Sequence, residues 1–367
     1  SGIPQVIATL GHETNALSKH LLSIRVMLGK IGISILAIIG GMTIGREGPT
    51  VQIGAAIMFN LRRLYPEINV TMERRLILAG AAAGLAAAFN TPLAGVVFAI
   101  EELSRSFEQR ASGVVITTII FAGIVALSIN GNYTYFDTIR VVNEASGKLV
   151  LAVVVTAILT GCAGGIFGWL LLNTKRWMPA GVQVLRSNNP VWFAAWCGLA
   201  VAVIGVIAGG ATFGSGYAEA RGLLGGNAHL SVLYPLFKMA SMVGSYLPGM
   251  PGGMFAPSLS IGAGFGSLLH LLFGNTSLGM LIALAMVGYL AAVTQSPITA
   301  FVIVMEMVNG HALVISLMAT ALIASRISRF FTPPLYETLS ERYVPKKDVK
   351  IKNDKGAPPK LNEENVT

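Results

Sequence analysis

Glu47 is a carboxylate set in apolar sequence. It lies in Gly45-Arg46-Glu47-Gly48-Pro49, directly ahead of Thr50-Val51-Gln52-Ile53-Gly54-Ala55-Ala56. A similar pattern returns as Gly253-Met254-Phe255-Ala256-Pro257, ahead of Ser258-Leu259-Ser260-Ile261-Gly262-Ala263-Gly264. Glycine permits close backbone approach, and proline suits the first turn of a helix. Each cluster therefore predicts a short irregular stretch that opens a helix. A helix start carries free N–H groups and the positive end of the helix dipole. Two such starts facing each other within lipid would form an anion site. Ionised Glu47 is favoured by the same positive end, so it can compete with a bound anion for one place. Arg46 offers a simpler alternative, an ordinary ion pair with Glu47. Against this, a carboxylate at mid-membrane costs roughly 2.5–3.5 kcal/mol or more, and such residues usually carry function.

A second acidic pair, Glu101-Glu102, closes an apolar run. Neighbours on a helix point in different directions, so the two need not share a role. Lys30 opens another apolar run; it could add positive field to an anion path or snorkel to the interface. The histidines show no ligand spacing, and Gly11-His12-Glu13-Thr14 lacks the second histidine of a zinc protease motif. No phosphate loop or nucleophile motif is evident. Cys162 and Cys197 lie in apolar runs and read as small buried hydrophobes rather than a disulfide or metal pair.

The elements that must position these groups are apolar helices. Of 367 residues, 53% are hydrophobic and 12% charged, against roughly 25% charged in soluble domains. Mean hydropathy is +0.67. Apolar runs cover residues 31–44, 51–61, 76–100, 112–129, 149–172, 191–213, 229–247, 256–273, 278–305 and 312–327. They are continuous rather than alternating, which predicts an all-α polytopic membrane protein and argues against a β-barrel. Several runs are shorter than the ~20 residues of a full crossing, and Gly and Pro interrupt others, as in broken and re-entrant helices. The net charge of +9 is not a nucleic-acid signal. Much of it lies in Arg342, Lys346, Lys347, Lys350, Lys352, Lys355 and Lys360, a basic tail over 342–367 that reads as disordered and cytoplasmic. There is no initiating Met and no signal peptide, and the chain reads as a fragment whose N-terminal helices are missing.

An internal repeat is visible. At a near-constant offset Pro49 aligns with Pro257, Asn90-Thr91-Pro92 with Gln295-Ser296-Pro297, and Glu101 with Glu306. Two structural repeats, about 1–140 and about 149–341, account for this within a membrane domain over 1–341. Repeats of this kind often have inverted topology with the site at their interface. The repetition favours a structural role for the Glu101–Glu306 pair. Glu102 aligns with Met307, so it is the unrepeated acid.

The ordered set of Ser1-Gly2-Ile3-Pro4, Gly45-Arg46-Glu47-Gly48-Pro49 and Gly253-Met254-Phe255-Ala256-Pro257 resembles the three filter signatures of the CLC chloride channel and chloride–proton antiporter family. The stretch Ala81 to Gly95 and the late Pro334-Leu335-Tyr336 are similar to further family blocks. The likeness is to bacterial-type members without C-terminal CBS domains. It implies an inverted-repeat subunit in a homodimer, each subunit with its own anion path. It further implies that the Ser1 and Tyr336 hydroxyls and the Met254 and Phe255 N–H groups bind a central chloride. Glu47 would be the gating carboxylate and outer proton site, and Glu102 the inner proton acceptor. Without the resemblance, Ser1 would read as a helix cap and Tyr336 as an interfacial aromatic. Neutral N–H and O–H donors suit a transported anion, because a full positive charge would hold it too tightly for release. The resemblance also implies chloride over fluoride, because fluoride specialists of the family carry altered filter motifs and this chain has Ser1, Pro49 and Tyr336.

The function expected is chloride–proton exchange across an inner membrane, with chloride as transported ligand and no cofactor. A passive voltage- or pH-gated chloride channel is the alternative, and an intramembrane enzyme using Glu47 as acid–base is a third reading. Passive channels of the family usually lack an acid at the Glu102 position, which tips the balance toward exchange.

Overall fold

The computed structural model describes residues 1–11, 15–64, 69–104, 113–131, 134–136, 147–274 and 276–344. The His12–Thr14 motif and the basic tail from 345 onward lie outside the described residues. The helices are α1 (Ile3–Gly11), α2 (Asn15–Leu21), α3 (Ile24–Ile39), α4 (Glu47–Leu61), α5 (Val70–Phe89), α6 (Pro92–Phe98), α7 (Gly113–Asn130), α8 (Gly147–Leu172) and α9 (Thr174–Trp177). They continue as α10 (Ala180–Asn188), α11 (Pro190–Ile207), α12 (Tyr217–Leu224), α13 (Tyr234–Tyr246), α14 (Phe255–Leu272), α15 (Leu278–Thr294), α16 (Pro297–Met307), α17 (Val314–Ser328) and α18 (Leu335–Ser340). Among the described residues four helical segments are long and apolar enough to cross a bilayer: Gly147–Leu172, Pro190–Ile207, Phe255–Leu272 and His311–Ser328. The protein is an all-α, multi-span membrane protein.

Local chemistry sets the breaks. Ser23 and Asn69 cap α3 and α5 by accepting from Val26 N (3.3 Å) and Met72 N (2.8 Å). The apolar run 76–100 is broken where Asn90 turns left-handed (φ 57°), and Pro92 then opens α6. The run 278–305 breaks at its aligned partners: Gln295 is left-handed (φ 60°) and Pro297 opens α16. The same agreement holds at the two glycine-proline clusters. Arg46 (φ −93°, ψ −14°) and Met254 (φ −100°, ψ −14°) precede α4 and α14 with nearly one backbone conformation.

Helix α15 is the centre of the molecule, buried at every position from Met280 to Thr294, as suits a helix apolar on all sides. Gly262 and Gly266 of α14 lie so close to it that a methyl on either would strike backbone atoms of Met286 or Ile282. Gly54 of α4 and Gly80 of α5 meet in the same manner, each facing the other's carbonyl. Outward faces carry Leu36, Ile39, Phe121, Ile129 and Val206, all strongly exposed and suited to lipid.

Helices α6 and α16 pack antiparallel and exchange carboxylates. Glu101 accepts from Ile298 N (3.0 Å) and Thr299 N (2.5 Å) at the start of α16. Glu306 accepts from Leu93 N (3.2 Å) and Ala94 N (2.7 Å) at the start of α6. Each acid satisfies two N–H groups that the helix itself cannot, next to its positive end. The structural reading of this pair from the repeat is thereby given its physical form.

One buried cation was not anticipated. Lys238 of α13 is fully buried, and its Nζ donates to the carbonyls of Thr212 (2.9 Å), Phe213 (3.1 Å) and Gly214 (3.1 Å). It ties down the glycine-rich loop after α11. At the other end of the chain, the packed structure runs past the expected tail boundary at 342. Glu341–Tyr343 form a 3-10 turn, and Tyr343 Oη accepts from Gln5 Nε2 at 2.9 Å.

Glu306→Ala removes both N-terminal partners of α6 and should cost about 1–2 kcal/mol by the usual worth of a lost cap. Thermal unfolding of the purified protein in detergent checks this: a lowered midpoint is expected, and an unchanged one contradicts the capping role.

Candidate functional site

The two glycine-proline clusters meet. Gly45 N donates to Gly253 O (2.8 Å), and Gly253 N donates to Gly45 O (2.6 Å), an isolated antiparallel bridge. This pair of hydrogen bonds fixes the starts of α4 and α14 against each other. The first signature joins them: a methyl on Gly48 would come within 2.7 Å of Ser1 Oγ and 3.2 Å of Gly252 O. Ser1 and Gly2 therefore lie against Gly48, while Ile3 and Pro4 are buried in the first turn of α1. Pro49, Ala256 and Pro257 are buried in the first turns of α4 and α14. All three predicted segments share one place.

Glu47 sits at this meeting point, fully buried. Its carboxylate is flanked by Gly45 and Gly253, and a methyl on either would collide with it. The backbone N–H groups of Arg46, Glu47 and Ala256 surround it, yet neither oxygen makes a hydrogen bond of full geometry. The ion pair with Arg46 is not formed; among the described residues the ion pair present is Arg62–Glu73. Arg46 is exposed instead, and its Nη2 donates to Ala88 O at 3.1 Å. Arg46 and Glu47, with Ile44, Tyr135, Ser215 and Tyr217, line a cavity of about 440 Å³.

Tyr336, on the first turn of α18, is fully buried within electrostatic range of both Glu102 and Glu47, and beside Ser1. The Tyr336 hydroxyl and Ser1 Oγ are both buried without a hydrogen-bond partner of good geometry. Buried hydroxyls are ordinarily paired, so two orphans beside two helix starts mark a place for an acceptor. Met254 and Phe255 are buried at the opening of α14, where N–H groups have no partner within the helix. The Phe255 ring stacks on Phe89 (centroids 6.2 Å) and meets Phe98 and Tyr336 (6.1 Å each). Nothing in the sequence spacing signalled this aromatic surround.

Glu102 lies in a π-helical turn, Ala99–Leu103, that continues α6. It is half-buried and accepts from Ser296 Oγ, just ahead of α16. Its neighbour Glu101 points to the α16 N–H groups, so the two acids diverge as their adjacency required. Lys30 does not snorkel: its Nζ donates to Ser1 O (2.6 Å) and to Gln52 Oε1. Gln52 in turn donates to Leu21 O (2.7 Å), which braces Ser1 and α4 from the side. The sequence offered no reason to couple Lys30 with Gln52. Cys197 packs with Met178 and Phe193, and Cys162 is half-buried.

The chain matches the family model described as voltage gated chloride channel over residues 1–329. It is 30% identical, over 377 aligned positions, to an H(+)/Cl(-) exchange transporter ClcA of Salmonella arizonae, covering 95% of this chain and 74% of that one. A transporter of the same name from Citrobacter koseri is 30% identical with the same coverage. Among solved structures, a CLC-type fluoride/proton antiporter superposes with TM-score 0.78 at 22% identity, covering 92% of this chain and 80% of that one. A slow cyanobacterial Cl−/H+ antiporter gives TM-score 0.77 at 24% identity, covering 95% and 82%. The chain belongs to the CLC chloride channel and antiporter family. That membership sets aside the reading as an intramembrane enzyme.

Gly253→Ala should damage the site, because its methyl would fall 2.9 Å from both Glu47 N and Gly48 N. Overpacking of this kind costs about 1–3 kcal/mol. Thermal unfolding in detergent should show a clearly lowered midpoint; a wild-type midpoint contradicts the close approach.

Proposed function

We propose that this protein is a secondary active transporter that exchanges chloride for protons. The observation that carries the reading is Glu47: a buried carboxylate between two helix starts, its oxygens without a hydrogen bond of full geometry, near the Ser1 and Tyr336 hydroxyls, which likewise lack one. Chloride would lie in a central site formed by those hydroxyls and the N–H groups of Met254 and Phe255. Residues 1–4, 45–49 and 253–257 together would act as the selectivity filter. Ionised Glu47 would hold the outer anion position; protonation removes its charge and lets chloride enter. Proton and anion then compete for one positive pocket, which couples them. Glu102 would pass protons at the inner end, and its bond with Ser296 holds it toward the start of α16. The exchange transporters and antiporters it resembles support the assignment.

The same reading includes two inverted repeats, about 1–140 and about 149–341. The matched backbones at Arg46 and Met254, the matched breaks at Asn90 and Gln295, and the antiparallel α6–α16 exchange support it. We further assign a homodimer. Leu93 and Ile298 occupy aligned positions at the starts of α6 and α16, each about half exposed (50% and 49%), an apolar face suited to a second copy. The membrane would be a bacterial inner membrane, with the C-terminus cytoplasmic.

A passive chloride channel remains the second reading, favoured by the family's description as a channel. Recording chloride and proton fluxes together from reconstituted vesicles separates the two. Exchange predicts that a chloride gradient drives protons uphill; chloride movement without protons contradicts it. Glu47→Gln should abolish proton movement and leave chloride flux, and retained coupling in that variant would refute the gate. Glu102→Gln should likewise stop protons while chloride binding by calorimetry persists; unchanged exchange counts against the inner site.

A further inference from the structure

Residues 173–189 connect the spanning helices α8 and α11. Helix α10 has nine residues, about 14 Å at 1.5 Å per residue, too short to cross. The connection therefore lies at one face of the bilayer. With Arg342, from the turn after α18, it walls an open groove of about 1020 Å³. Lys175, Arg176, Arg186 and Arg342 line it, and among the described residues no Asp or Glu does. All four cations are exposed, and none is in an ion pair among the described residues. The groove is built rather than incidental. Gln183 Nε2 donates to Lys175 O (2.9 Å) and Met178 O (2.7 Å), and Arg342 Nη2 donates to Leu172 O (3.3 Å). Beside it, Trp192 and Trp196 at the start of α11 are 66% and 59% exposed, in the position of an interfacial aromatic belt.

Four like charges gathered in one groove repel one another, and an anion relieves that repulsion. At a bilayer face the most concentrated anion is lipid phosphate, whose acyl chains can lie along the exposed side of α11. The chain end from 345 onward is a poorer occupant, since its six lysines outnumber Asp348, Asp354, Glu363 and Glu364. We propose that this groove seats the phosphate headgroup of an anionic glycerophospholipid.

The test is native mass spectrometry of the full chain in detergent, titrated with dioleoyl phosphatidylglycerol or dioleoyl phosphatidylcholine. Preferential uptake of phosphatidylglycerol is expected. Arg176→Gln/Arg186→Gln should weaken it about thirtyfold, from the usual worth of each of two basic residues at an anionic surface. Lys148→Gln, at the opposite end of α8, should leave it intact. Arg176→Lys/Arg186→Lys keeps the charges and should retain most of the preference, which separates charge loss from misfolding. Equal uptake of the two lipids overturns the proposal, as does an undiminished preference in the Gln pair or an equal loss in Lys148→Gln. Inorganic phosphate is the third arm: displacement of the lipid adduct at equal concentration assigns the groove to a free anion and overturns the lipid, whereas persistence supports it.

Discussion

The double hydrogen bond between Gly45 and Gly253 holds two helix starts face to face inside an apolar protein. Most of what surrounds it follows from that constraint. Two positive helix ends brought together need negative charge, and the place between them holds Glu47. Only glycine fits on either side of the carboxylate, since a methyl at either position would collide with it. Pro49 and Pro257 then start the two helices without wasting a backbone donor. Ionised Glu47 and the two helix ends carry opposite charge and attract one another. In the proposed function the protein transports because a halide can replace the acid.

The remainder of the fold braces that meeting point. Lys30 and Gln52 hold Ser1 against α4, and Lys238 fastens the glycine-rich loop whose Ser215 lines the cavity above Glu47. Helices α6 and α16 lock together by exchanging Glu101 and Glu306, which leaves Glu102 to face Ser296. Adjacent acids thus do different work: one satisfies a helix end, and the other stays within electrostatic range of Tyr336.

Much of this was legible in the sequence, and for physical reasons. Glycine and proline beside a lone carboxylate leave few other uses in an apolar chain, so a meeting of segments 45–49 and 253–257 could be anticipated, whereas residues 1–4 were joined to them only by the family resemblance. The aligned stretches Asn90-Thr91-Pro92 and Gln295-Ser296-Pro297, on which the proposed repeat rests, were legible as helix breaks, and Asn90 and Gln295 both take the left-handed conformation that ends a helix before proline. What could not be read were contacts between distant side chains of common type. Nothing about Lys238 distinguishes it from a lysine at a membrane edge until three carbonyls close around it. The ring contacts of Phe255 with Phe89 and Phe98 are equally silent, since phenylalanine in an apolar run predicts burial and not a partner. The groove around Lys175 and Arg342 joins positions far apart in the chain, and only folding brings them together.

The central claim is that a carboxylate and a halide use the same backbone donors. Crystals of Glu47→Gln grown in bromide test it most directly, through the anomalous signal of the ion. The account predicts a bromide peak between the first turns of α4 and α14, where the wild-type carboxylate lies. A bromide-soaked crystal with no peak there, or with bromide only at remote surfaces, would contradict it.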